Sequence, residues 1–257
     1  MYGAIIGDLA GSIYEFDQYK ETKKIDVNKL ISDKSFFSDD TILTIALLDA
    51  VISKENYGNY LKKYGVKYMD YKPDIEPYFE KPFSPGFTKW VNSKEEGYSK
   101  GNGAMMRISP IGYLYNDEEI IRQEVIKATI PSHNSSEAIN CATIIALIIF
   151  YARIGYSKEK IISELNLKLE YNDFKKFNLT CADTINNCLY ALFTSNSFEE
   201  SLLKVISYGG DTDTNACIVG SMAEALYGID ESLIKECDKK IPNEFVKILK
   251  LGYSKIK

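Results

Sequence analysis

The chain has 257 residues, 26% of them charged, and a formal net charge of −5. It is long enough to bury a sizeable core. It is too acidic overall for a general nucleic-acid binder, whose phosphate contacts need a positive surface.

Basic residues are nearly all lysine, the arginines being Arg107, Arg122 and Arg153, and Lys20, Lys23 and Lys24 read as a solvated face. Five cysteines, an odd number without a C-x-x-C pair, and a first stretch unlike a signal peptide predict reduced thiols and a cytoplasmic protein. The most apolar run, 138–151, carries Asn140 and Thr143. It is too short to span a bilayer and is expected as a buried helix, without membrane association.

In chain order, Gly3, Gly7 and Gly11 recur at four-residue intervals in an apolar stretch. That spacing predicts a helix with one bare face packed closely on a neighbour, because glycine in a helix needs such compensation. Asp8 and Glu15 sit on this segment seven residues apart, and either reads equally well as a surface acid. Residues 17–37 are polar and irregular and read as a surface loop. Ser38 is a candidate N-cap for a buried helix over 41–52, opened by Ser38-Asp39-Asp40-Thr41. Residues 53–100 are rich in Tyr, Lys, Pro and Gly. They predict a short helix over 57–69, then an extended excursion broken by Pro73, Pro77, Pro82 and Pro85 and anchored by Trp90.

Gly101-Asn102-Gly103, beside Lys100, can take positive φ and turn its N–H groups toward an anion, or can be a plain turn before a helix. A helix with acids at its start follows over 117–128. His133, the only histidine, precedes a helix opened by Ser135 or Ser136. A lone histidine there reads as a hydrogen-bonding residue, and no second histidine offers a zinc pair. Further helices are expected over 157–177 (in part), 180–193, 198–207 behind the capping-box pattern Ser197-x-x-Glu200, and 241–251.

Gly209 and Gly210 suit a tight turn into Asp211-Thr212-Asp213-Thr214. These acids should open a buried helix whose small residues Ala216, Gly220 and Ala223 share one face. One acid would satisfy a helix N-terminus. Two clusters of paired acids and hydroxyls exceed that need, and crowded carboxylates resist ionisation unless a cation sits among them. All-oxygen sets of this kind suit Mg²⁺, Mn²⁺ or Ca²⁺ better than zinc. With no convincing period-2 run, the expectation is an all-α single domain with its polar cluster at helix N-termini.

The blocks Gly7-Asp8-x-x-Gly11-x-x-x-Glu15, Ser38-Asp39-Asp40-Thr41, Gly101-Asn102-Gly103-Ala104-x-x-Arg107, Ser132-His133 and Gly209-Gly210-Asp211-Thr212-Asp213-Thr214 stand in that order. The chain thereby resembles the ADP-ribosylglycohydrolase family over nearly its whole length. The resemblance implies an orthogonal all-α bundle spanning 1–257 as one domain, with a binuclear Mg²⁺ or Mn²⁺ site. By the same resemblance Ser38, Asp39 and Asp40 look like ligands from one helix end, and Asp211, Asp213 and Thr214 like ligands from the other. Glu15 matches the acid that assists hydrolysis. Ser99, Lys100, Gly101, Asn102, Gly103, Ala104 and Met105 look like the loop that holds diphosphate and ribose, and His133 like a substrate-binding residue.

The implied substrate is an ADP-ribosylated protein or other ADP-ribose conjugate, acted on by a monomer. Arginine is the first acceptor to consider, ahead of serine, other O-linked or nucleic-acid linkages. The alternatives are a non-catalytic ADP-ribose-binding or structural homologue and a metal-using nucleotide phosphohydrolase. Ser38 stands where the family often has threonine, and 53–100 matches no family motif.

Overall fold

A computed structural model describes residues 1–15, 25–73, 81–172, 177 and 179–256. Parts of the expected loop 17–37, of the excursion 53–100 and of the connection 157–177 lie outside the described residues. Among the described residues the fold is all-α. Strand-like pairing is limited to two isolated bridges, Tyr98 with His133 and Gly101 with Thr180.

The centre is a pair of helices from opposite ends of the chain. Helix α1 (Tyr2–Gly11) is buried along its whole length, Asp8 included. The glycine face predicted from the sequence lies against the helix of Thr212–Tyr227. A Cβ added at Gly7 would stand 2.0 Å from the Ala216 carbonyl oxygen, at Gly3 2.1 Å from that of Gly220, and at Gly11 2.2 Å from that of Thr212. The two backbones touch, which only glycine on one side and small residues on the other permit. Thr212 Oγ1 donates to the Gly11 carbonyl at 2.8 Å where the two ends meet.

Helix α2 (Asp39–Ser53) packs beside α1 and is capped by Ser38, whose hydroxyl accepts from Asp40 N. It ends at Lys54 in the left-handed region, φ 58°. Helix α3 (Tyr57–Lys67) returns along α2. The expected extended excursion contains helix α4 (Pro85–Val91), opened by Ser84 and proline at its first turn. Trp90 is buried there as expected, with Lys62 Nζ 4.8 Å from the ring centroid.

Short helices α5 (Gly103–Met106) and α6 (Ser109–Leu114) lead to α7 (Glu118–His133), capped by Asp117. The sequence reading ended α7 before Thr129-Ile-Pro; the helix runs through Pro131 to His133. Proline removes one i−4 hydrogen bond there, while the carbonyls of Pro131 and Ser132 accept from Gly97 N at 2.9 Å and Ser99 N at 3.3 Å, which ties this helix end to the neighbouring segment.

Helix α8 (Ser136–Arg153) is longer than the apolar run that announced it, long and apolar enough by length and composition to cross a membrane. Its faces pack on α6, α7 and the helix of Thr212–Tyr227. Then come α9 (Lys158–Glu164), α10 (Cys181–Phe193), α11 (Phe198–Ser207), α12 (Thr212–Tyr227), α13 (Glu231–Asp238) and α14 (Asn243–Tyr253). At α11 the Ser197 hydroxyl accepts from Glu200 N as the capping box requires, but the Glu200 side chain reaches back to Asn196 N, one residue early.

Candidate functional site

Three helix ends converge on the polar clusters. The first turn of α2 points orphan N–H groups inward, as any helix N-terminus does. They are met by an acid from another helix as well as by their own cap. Asp8 of α1 accepts at Oδ2 from Ser38 N at 2.9 Å, Thr41 N at 3.1 Å and Thr41 Oγ1 at 2.6 Å. Its other oxygen, Oδ1, is buried with no hydrogen-bond partner. Asp40 repeats the pattern. Its Oδ2 accepts from Ser38 Oγ and Thr214 Oγ1, both at 3.1 Å, and its Oδ1 is buried and unpartnered.

The end of α12 supplies the rest. Gly209 and Gly210 both take positive φ, 78° and 77°, as their place in the sequence predicted. They turn the chain so that Asp211 becomes the N-cap of α12 without using its side chain to cap. That carboxylate accepts instead from Asn102 Nδ2 at 2.6 Å. Asp213 Oδ1 accepts from Thr214 N at 2.7 Å.

Two groups of carboxylates result. Asp8, Asp40 and Asp213 bring one oxygen each within 4.8 Å of one another, and so do Glu15, Asp211 and Asp213. Asp213 belongs to both, so the two groups form one continuous centre.

Burial is the leading cause that raises Asp8, Asp39, Asp40, Asp211 and Asp213, and neighbouring carboxylates add to it at the last four. The acids press on one another, while the Arg107 charge pulls Asp39 down. Asp8 is pushed up to about 6, against the hydrogen bonds from Ser38 and Thr41 that pull it down. Asp211 is pushed to about 7, with Glu15 the next contributor, and Asp39 to about 8, with Asp8 and then Glu15 behind burial. Asp40 and Asp213 rise well above the usual carboxylate range, each pressed by the other acids of the centre. Crowded buried carboxylates with unpartnered oxygens are a set that a cation completes, and an all-oxygen set suits a hard divalent ion. The residues present therefore fit the metals that the family resemblance implies.

Of the residues expected as ligands, Asp40, Asp211 and Asp213 fall in the two groups. The hydroxyls of Ser38 and Thr214 both donate to Asp40, while Asp39 is half-buried at the opening of α2. Glu15, expected to assist hydrolysis, is itself close enough to Asp211 and Asp213 to share an ion with them. Asp8, which on sequence alone reads also as a surface acid, is fully buried and joins α1 to α2 through Ser38 and Thr41. The available signal was an acid inside an otherwise apolar, glycine-spaced stretch, and what was missing was knowledge of which helix end it would meet.

The loop from Ser99 to Met105 lies beside the acids. Ser99 and Lys100 are exposed, Gly101 and Gly103 half-buried, and Asn102, Ala104 and Met105 buried. Of the two readings of this loop, the plain turn before a helix holds: neither Gly101 nor Gly103 takes positive φ, and α5 begins at Gly103. Two of its N–H groups are engaged within the protein, Gly101 N with Ser99 Oγ at 3.0 Å and Asn102 N with the Leu179 carbonyl at 2.8 Å. The glycines serve close approach instead. A Cβ at Gly103 would stand 3.3 Å from His133 Nε2, and one at Gly101 3.7 Å from the same atom. His133 is buried, and burial followed by the charge of Arg107 holds it well below its ordinary value, so it is neutral.

An all-α protein carrying joined carboxylate groups suited to hard divalent cations is the class that fold and site define. Residues 1–252 match the ADP-ribosylglycohydrolase family, and the chain belongs to that family of hydrolases. The ADP-ribosylarginine hydrolase Tri1 of Pseudomonas putida (strain GB-1) is 23% identical over 89% of this chain and 70% of its own length. The ADP-ribosylhydrolase ARH3 of Homo sapiens is 22% identical over 89% of this chain and 84% of its own. The fold is similar to a solved ADP-ribosylglycohydrolase-related protein complex, with a TM-score of 0.75 and 18% identity over 99% of this chain and 95% of that one.

Proposed function

We propose that the protein cleaves the glycosidic bond between ADP-ribose and an acceptor, a protein side chain and arginine first among them, using two divalent cations, Mg²⁺ or Mn²⁺. The observation that carries this reading is the pair of carboxylate groups joined through Asp213 next to the loop of Ser99, Lys100, Gly101, Asn102, Gly103, Ala104 and Met105.

Asp8, Asp40 and Asp213 would hold one ion, and Glu15, Asp211 and Asp213 the other. Asp39 stands at their edge, and Ser38 and Thr214 are hydroxyls within reach once their protons turn away from Asp40. Bound there, the ions supply positive charge for ribose hydroxyls and a water.

The chain's own groups do the rest. Asn102 fixes the carboxylate of Asp211 by its 2.6 Å hydrogen bond and so fixes the geometry of the second group. Glu15 takes a proton from the attacking water or delivers one to the leaving group. Gly101 and Gly103 leave room for a phosphate or ribose oxygen to approach the backbone and His133. Holding the anomeric carbon against the acids is the larger part of the catalysis, since correct placement removes most of the entropic barrier. The arginine acceptor follows the Pseudomonas relative, whose name states that linkage. Serine, other O-linked or nucleic-acid-linked ADP-ribose comes next.

The test is release of free ADP-ribose from arginine-, serine- and nucleic-acid-linked substrates with Mg²⁺, Mn²⁺ or EDTA, beside Asp213→Asn. Metal-dependent release from one linkage, lost in the variant, supports the hydrolase and names its acceptor. ADP-ribose binding without release from any of them points to a binding protein, and formation of AMP or phosphate points to a phosphohydrolase.

A further inference from the structure

Arg107 is an unusual place to bury a charge. It is 1% exposed, and among the described residues no carboxylate forms an ion pair with it. A buried guanidinium without an ion pair is expensive. Nη1 has no hydrogen-bond partner and the Asp39 charge acts on the group from a distance, so the hydrogen bonds it does make are those of Nη2. Nη2 donates to Ser132 Oγ at 2.6 Å and lies 3.4 Å from His133 Nδ1. Ser132 Oγ is itself 2.8 Å from the same Nδ1.

A guanidinium has only N–H donors. The Ser132 oxygen accepts one of these, and among the described residues Nδ1 is the other atom hydrogen-bonded to it, so Nδ1 is the acceptor open to its own O–H. Both groups facing Nδ1 therefore present hydrogen, and a second hydrogen on Nδ1 would point into them. A neutral imidazole carries one hydrogen, which leaves Nε2 to hold it. Nε2 is the atom that lies over Gly103 and Gly101.

We infer that Arg107 is a positioning residue. With Ser132 it fixes His133 in the tautomer protonated at Nε2, so that the ring presents a hydrogen-bond donor to an oxygen-rich ligand seated over Gly101 and Gly103. The tautomer stands on the hydrogen-bond geometry alone. Its ligand, a phosphate or ribose oxygen of ADP-ribose, rests on the function proposed above. Charge from the neighbouring guanidinium also keeps the ring from becoming a cation that would repel Arg107.

His133 is the only histidine in the chain, so imidazole nitrogen–proton correlation spectra of the ¹⁵N-labelled protein contain one ring. At neutral pH the expected pattern is a bare, pyridine-like Nδ1 and a protonated, pyrrole-like Nε2. Arg107→Met should give exchange between tautomers and bring the titration of the ring back toward its ordinary range. Arg107→Lys should restore part of the pattern, and Ser132→Ala should weaken it while leaving the guanidinium in place. The lysine and Ser132 variants carry the test if Arg107→Met does not fold.

A protonated Nδ1 in the wild-type protein, or an unchanged Nε2 tautomer in folded Arg107→Met, overturns the inference. Titration with ADP-ribose separates this inference from the functional one. A shift of the Nε2 proton, with binding about tenfold weaker in Arg107→Lys, supports both. The Nε2 tautomer without any response to ADP-ribose supports the role of Arg107 and overturns the ligand.

Discussion

Asp213 is the residue on which the two carboxylate groups depend, because it is the one acid common to both. Asp213→Asn should therefore lower occupancy of both positions, whereas Asp40→Asn should empty only its own. Mn²⁺ binding followed by electron paramagnetic resonance reads this directly. About two ions per chain are expected for the wild type, one for Asp40→Asn, and weak binding throughout for Asp213→Asn. Two full-affinity sites in Asp213→Asn would rule out a shared ligand. Asn102 acts one step back, holding Asp211 through a single buried bond. Loss of such a supporting partner typically weakens metal binding about 10–100-fold, and that is the expected effect of Asn102→Ala on the second site, with the first unchanged.

The contact of α1 with α12 decides where those acids stand. Ser38 and the Gly209-Gly210 turn form their helix ends locally, but Asp8 reaches α2 only because the glycine face of α1 lets it lie against α12. Gly7→Ala places a methyl group 2.0 Å from the Ala216 carbonyl. Neither backbone can yield without moving the helix that carries Asp8 or the one that carries Asp213. The expected destabilisation is about 3 kcal/mol, the upper end for overpacking, read as a fall in the melting temperature together with loss of Mn²⁺ binding. Gly86→Ala is the control. Gly86 is exposed in α4, and a Cβ there meets only Ser84 Oγ at 4.0 Å. Replacing it should be neutral or stabilising by about 0.5–1 kcal/mol, the usual gain when a helical glycine becomes alanine. Equal effects of the two substitutions would mean that α1 and α12 are not held in this contact.

For the molecule as a whole, the crowded acids predict a stability that runs opposite to the common pattern. Asp8, Asp211 and Asp39 are raised to about 6, 7 and 8, all chiefly by burial and the latter two also by neighbouring acids. The unfolded chain holds such groups near 3.9. A group raised on folding binds its proton more tightly in the folded state. Its stabilising contribution is present below the unfolded value and is lost as pH rises through the folded one. In EDTA the protein should thus melt at a higher temperature near pH 5 than near pH 8, with the loss spread between pH 4 and about 8. Divalent cations bind the ionised acids and should reverse the order, raising the melting temperature most near pH 8. Thermal melts across pH with EDTA, Mg²⁺ and Mn²⁺ test this. A flat profile in EDTA would show that solvent reaches the acids.

Read without the fold, the residues already placed most of the helices, since apolar spacing, capping serines and glycine turns are local signals. The same local chemistry announced both acidic helix starts and, through an excess of carboxylates over capping need, a cluster of acids suited to a hard cation. Helix α13, the short helices α4, α5 and α6, and the run of α7 through Pro131 escaped, because neighbouring elements stabilise short or proline-bearing turns that propensity alone does not. Four facts belong to the tertiary structure. They are the burial of Asp8 against α2, the sharing of Asp213, the spending of loop N–H groups within the protein, and the aim of Arg107 at His133. Asp8 meets Ser38, 30 positions away, and Arg107 meets His133, 26 positions away. Asn102 N meets the Leu179 carbonyl, and Asp8 meets Asp213, from still farther along the chain. A side chain's type limits what it can do; which partners it meets is set by how the helices pack, and here that packing is decided by backbones that touch where side chains are absent.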